Sequence, residues 1–172
     1  MPATAKDRHA QAYDETPAAT APLLLEDFLP YRLAVLTHAV SRALAEVYGD
    51  RFGLSIPEWR IVANLGGFGP LYPGVLAERS SMDKPKVTRA LQRLQASGLV
   101  TRTIDRADRR QARIALTRKG THVFREVAAL AAAWERDFLA PLSDSDRKSF
   151  DRILAKLTTR ATALRLQSPG SP

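Results

Sequence analysis

Apolar residues recur every three or four positions through most of this chain, and polar or glycine-rich breaks divide the pattern into helices. Leu33, Leu36, Val40, Leu44 and Val47 form one stripe, which predicts a helix over residues 25–48 that residues 49–53 end. Ser55-Ile56-Pro57-Glu58 has the form of a capping box with proline in the first turn. A second helix follows and buries Trp59, Val62 and Leu65 or their neighbours. Gly66-Gly67-Phe68-Gly69-Pro70 predicts a turn, and a short helix over residues 73–80 contributes Val75 and Leu76. Asp83 can cap a fourth helix with Pro85 in its first turn, and Gly98 ends it. Val87, Ala90, Leu91 and Leu94 share the inward face of this helix, so Lys86, Thr88, Arg89, Gln92 and Arg93 point outward.

The period then changes. Residues 99–104 and 111–116 are strand candidates, and the second alternates cleanly, with Ala112, Ile114 and Leu116 against Arg113 and Ala115. Thr117 can cap a helix carrying Val123, Val127, Leu130, Trp134 and Phe138. After Pro141, Ser143-Asp144-Ser145-Asp146 starts a last helix striped by Phe150, Ile153, Leu154, Leu157, Ala161 and Leu164. Residues 1–22 are rich in Ala, Thr and Pro without periodicity and read as a disordered arm; residues 167–172 read as a flexible tail.

Charge changes the picture through its location. The chain of 172 residues carries a net +8. From Arg79 to Lys119 there are twelve Lys/Arg and three Asp/Glu, a net of +9, so the rest of the chain sums to −1. A polyanion partner accounts for that concentration, and it argues against a protein–protein adaptor.

The order of elements predicts a mainly α fold. It is a winged helix-turn-helix with long N- and C-terminal dimerisation helices and a two-stranded β-wing. The expected boundaries are an arm at 1–22, one domain at 23–166 and a tail at 167–172. Within the domain, the DNA-binding lobe takes 55–117 and the dimerisation helices take 23–50 and 118–166. The long end helices can close a monomeric bundle or pair with a second copy, and a homodimer is the expectation.

The ordered set Ser80-Ser81-Met82-Asp83-Lys84, Val87-Thr88-Arg89-Ala90-Leu91, Leu94, Gly98-Leu99-Val100, Asp108-Arg109-Arg110 and Leu116-Thr117-Arg118-Lys119-Gly120 resembles the MarR family of winged-helix regulators. The resemblance covers residues 25–166. It implies a homodimer on a pseudo-palindromic operator, a repressor that a small ligand releases. Residues 29–33 and 54–60 also resemble segments of family members that control aromatic-acid degradation, some of which respond to hydroxycinnamoyl-coenzyme A thioesters.

Double-stranded DNA is therefore the expected partner. Thr88, Arg89 and Gln92 are the residues best matched to base edges: Arg to guanine, Gln to adenine, a Thr methyl to thymine. Lys84, Lys86, Arg93, Arg102 and Arg113 are candidates for phosphate neutralisation. Arg106, Asp108, Arg109 and Arg110 occupy the wing tip, where a narrow minor groove attracts arginine. The resemblance places Arg110 in that groove and has Asp108 orient the wing. For a small-molecule effector, an aromatic acid or aromatic acyl-CoA, the candidate contacts are Tyr31, His38, Arg42, Trp59 and Arg60. Two have a plainer reading: Trp59 as core, and His38 as a surface or capping residue.

Other classes fare worse. The chain has no cysteine, and His9, His38 and His122 are scattered, so neither a metal site nor a cofactor is expected. No zinc-protease, phosphate-loop or nucleophile-elbow motif is present, and no enzymatic activity is expected. No apolar run is long enough to span a membrane, and a cytoplasmic location is the expectation. A nonspecific or architectural DNA-binding protein remains the alternative.

Overall fold

The computed structural model describes residues 23–104 and 112–167. The described elements run α1 (Leu29–Phe52), α2 (Ile56–Phe68), α3 (Pro73–Ser80), α4 (Lys84–Ala96), β1 (Val100–Ile104), β2 (Ala112–Leu116), α5 (Arg118–Phe138) and α6 (Asp144–Gln167). This is the expected mainly helical winged helix-turn-helix order.

Two compact units divide the chain, residues 1–38 and residues 39–172. In the first, a turn over 25–27 leads into the start of α1, where Pro30 lies in the first turn and needs no helical donor. The helix therefore begins later than the apolar stripe predicted, and Leu29, Leu33, Val35 and Leu36 are exposed.

The second unit holds the core. The end of α1 runs past Gly49 to Phe52, where Gly53 adopts φ 64° and its N–H returns to the Gly49 carbonyl at 2.8 Å. Tyr48, Ile61, Val62, Leu65, Leu76, Val87, Leu91, Leu94, Ile114 and Val127 form the buried centre. Glu58 accepts the Ser55 N–H at 2.8 Å, as the capping box requires.

Two expectations fail here. Gly66 and Gly67 are helical, not a turn, and a Cβ at Gly66 would stand 2.5 Å from the Phe124 ring of α5. The glycine admits an aromatic neighbour instead of breaking the helix. Val75 is exposed, and Leu76 alone of that pair enters the core.

β1 and β2 pair antiparallel from Val100↔Leu116 to Ile104↔Ala112. Leu71 adds a single bridge on the other side of β2, exchanging hydrogen bonds of 3.0 and 2.8 Å with Ile114. α6 starts with a second capping pair, in which Asp146 N–H donates to Ser143 Oγ at 3.1 Å and Ser143 N–H to Asp146 Oδ2 at 3.3 Å. Along its apolar stripe, Phe150, Ile153, Leu154 and Leu157 remain exposed.

Candidate nucleic-acid interface

α3 and α4 are joined by three residues. Ser81 turns the chain in the left-handed region at φ 53°, and Met82 N–H returns to the Ala77 carbonyl at 3.0 Å. Asp83 then caps α4, accepting the Lys86 N–H at 2.6 Å. Val87, Ala90, Leu91 and Leu94 are buried against α2 and α3. A helix tied at its start and buried along one side presents its opposite side in a fixed orientation. That side carries Thr88, Arg89 and Gln92, all exposed, with Lys84 on one flank and Lys86 and Arg93 on the other. The Thr88 hydroxyl donates to the Lys84 carbonyl at 2.9 Å.

The hairpin is anchored at its base. Gly98 reverses the chain at φ 71°, and Leu99 N–H donates to the Leu94 carbonyl at 2.9 Å. Thr117 does two jobs: its hydroxyl donates to the Gly98 carbonyl at 2.7 Å and accepts the Gly120 N–H at 3.0 Å, capping α5. Lys119 Nζ donates to the Ser97 carbonyl at 2.9 Å. Arg102 and Arg113 are exposed on the strands, Arg113 with its guanidinium 5.3 Å from the Tyr72 ring centre. The tip residues Arg106, Asp108, Arg109 and Arg110 lie outside the described residues.

Arg93 is not a free surface cation. Its Nη1 lies 3.8 Å from Oε1 of the buried Glu58. No sequence signal distinguished it from Arg89, since the partner sits on another helix.

Residues 52–111 match the MarR family. Over 131 residues the chain is 30% identical to the transcriptional repressor Mb2911 of Mycobacterium bovis, covering 76% of this chain and 91% of that protein. The chain belongs to the MarR family. Among solved structures, this MarR protein is similar to the family regulator SPO1453 of Silicibacter pomeroyi, at 28% identity and TM-score 0.71, covering 81% of this chain and 99% of the other. It also shares its fold with BpsR of Bordetella bronchiseptica, at 19% identity and TM-score 0.71, covering 80% and 97%; that structure concerns regulation of DNA binding by 6-hydroxynicotinic acid. The MarR chain is thus a DNA-binding transcriptional regulator, and its relatives are regulators and not enzymes.

The expected effector contacts fall in both units. In the first unit, Tyr31 and His38 are exposed on α1. In the second, Arg42 is exposed, and Arg60 donates to Ser41 Oγ and the Ser80 carbonyl, each at 3.4 Å. Arg60 thereby links α2 to α1 and α3. Trp59 is half-buried, its ring centre 5.5 Å from that of Tyr48 and 6.4 Å from that of Phe124. It also lines a cavity of about 680 Å³, walled by Val40 and Leu44 of α1, Phe124, Ala128, Ala131, Trp134 and Phe138 of α5, and Phe150 and Leu154 of α6. Trp134 and Phe138 stack at 5.1 Å and 6°. Arg147 lines it too, donating from Nη2 to the Leu139 carbonyl at 2.8 Å and from Nε to the Leu142 carbonyl at 3.2 Å. Of the α5 residues in this wall, the sequence marked only Trp134 and Phe138, as part of an apolar stripe, and missed Phe124, Ala128 and Ala131. Among the described residues no helix is long and apolar enough to cross a membrane, and no three His, Asp or Glu side chains group as a metal site.

Proposed function

We propose that this regulator is a homodimeric repressor released from a pseudo-palindromic operator by a small aromatic acid or its CoA thioester. The observation that carries the reading is the aromatic-walled cavity reaching Trp59 on α2, the helix against which α4 packs. Its volume suits a drug-sized ligand, and apolar walls with a few polar groups are the usual lining of such sites. A ligand that favours one packing of α5 against α2 shifts the population towards it. The regulation of BpsR by an aromatic acid is consistent with that assignment.

The exposed apolar stripe of α6 supports pairing with a second copy, since an unpaired face of Phe150, Ile153, Leu154 and Leu157 is costly in water. Two-fold symmetry then sets two copies of α4 about 34–36 Å apart, for successive major grooves. Thr88, Arg89 and Gln92 read bases, while Lys84, Lys86, Arg102 and Arg113 hold phosphates. Arg110 enters the minor groove, with Asp108 orienting the wing and Arg106 and Arg109 beside it. The location is cytoplasmic, with the DNA it controls.

The test is selection of duplexes with purified protein, followed by titration of the selected complex with aromatic acids and their thioesters. The reading requires a preference of about 10³-fold or more over unrelated DNA and release by at least one aromatic compound. Equal affinity for all duplexes makes the protein an architectural binder.

A further inference from the structure

Glu58 is buried, at 5% exposure, at the start of α2. A buried carboxylate needs compensation. One oxygen has the Ser55 N–H at 2.8 Å and the partial positive charge of the helix start. The other faces Arg93 Nη1 at 3.8 Å, across the gap to α4. The two ends of this link differ: the Arg93 side chain is 73% exposed and that of Glu58 7%. An exposed arginine drawn towards a fixed, buried carboxylate is tethered; the carboxylate does not move to meet it. Arg93 and Lys86, two helical turns apart, form the flank of α4 that, together with Arg89, lines a small crevice against Ser55, Pro57 and Glu58. That flank adjoins the face bearing Arg89 and Gln92.

We propose that Glu58 is a positioning residue for DNA recognition: through Arg93 it fixes the rotation of α4 against the start of α2, and so aims Arg89 and Gln92 at base edges. The inference rests on α4 being the helix that reads DNA. Arg93 in this role orients the reader and does not neutralise a phosphate. The two roles predict opposite signs for one change. Removing the Glu58 charge frees Arg93 for phosphate, which tightens binding if Arg93 is a phosphate contact. It loosens specific binding if the pair is a brace.

The experiment uses the full-length protein, the operator it selects and an unrelated duplex of equal length. Glu58→Gln keeps an acceptor for the Ser55 N–H, so the capping box survives. The brace predicts that E58Q binds the operator about fivefold more weakly, with unrelated DNA bound as well as before or better. R93A shows a similar loss with an unchanged dependence of affinity on salt, and the double variant is no worse than the weaker single. Operator affinity equal to or above wild type in folded E58Q overturns the proposal. So does an R93A salt slope lower by about 0.9, the signature of one lost phosphate contact, which decides the matter even if E58Q fails to fold. A wild-type protein with no preferred duplex defeats the DNA reading itself, a different result from either.

Discussion

A Cβ placed on Gly120 would stand 2.0 Å from the carbonyl oxygen of Leu99. The start of α5 is pressed directly on the backbone at the foot of the hairpin, where Thr117 N–H also donates to that same carbonyl at 3.0 Å. Backbone cannot swing aside as a side chain can. Gly120→Ala is expected to cost about 3 kcal/mol, the upper range for overpacking. The measurement is a urea unfolding curve, whose midpoint falls. An unchanged midpoint means that the α5 start can lift from Leu99 at no cost.

Gly66→Ala meets a softer obstacle, the ring of Phe124 at 2.5 Å. Alanine gains about 1 kcal/mol of helix propensity over glycine, so the steric loss is partly offset. The expected net cost is about 1 kcal/mol, and it shrinks when Phe124 is replaced by Leu. A double-mutant cycle in urea measures the coupling. Additive losses show that ring and glycine do not meet.

On α4, Arg89→Ala and Gln92→Ala are expected to change base preference at defined operator positions, each costing about 1–3 kcal/mol at its own base pair. Lys84→Ala weakens all duplexes alike and lowers the salt slope by about 0.9. Arg110→Ala weakens operator binding strongly without unfolding the protein. Competition binding against single-base operator variants separates these patterns.

Tyr48 gives a pH dependence. Burial pushes its phenol above the usual range, and the nearby Arg60 guanidinium offsets part of that rise. The unfolded chain therefore loses this proton first as pH rises past about 10. Stability from the neutral phenol is complete below that pH and declines as pH climbs towards the raised folded value. Tyr48→Phe removes this component of the decline, read as a flatter melting temperature between about pH 9 and 11. An equal slope in both proteins shows that other groups carry the alkaline loss.

Filling the cavity separates sensing from binding. Ala131→Phe projects a ring among Trp59, Trp134 and Phe138. The expected outcome is unchanged operator affinity with loss of release by the aromatic effector. Titration of the preformed complex reads it, and release at the wild-type effector concentration removes the cavity from the mechanism.

Much of this was written locally. Asp83, Thr117 and Ser55 each announce a helix start through short-range hydrogen bonds that sequence spacing reveals, and the inward face of α4 follows from period alone. What escaped depends on distant partners. Gly66 and Gly67 look like a break, but both are helical, and Phe124 rests beside Gly66. That Arg60 reaches Ser41 and the Ser80 carbonyl, on two other helices, has no local signal. Periodicity shows that Trp134 and Phe138 lie on an apolar face; it does not show that α6 leaves room in front of them. The Leu71 bridge, one residue long, has no period to detect.

That single rung has a mechanical meaning. Leu71 heads directly into α3, so its paired bonds to Ile114 rivet the hairpin to the segment feeding the helix-turn-helix. The hairpin cannot hinge away from α3 without breaking both bonds. Hydrogen exchange at Leu71 and Ile114 amides should therefore keep a common rate. Whatever moves this protein along a duplex carries the hairpin and the two helices as one plate.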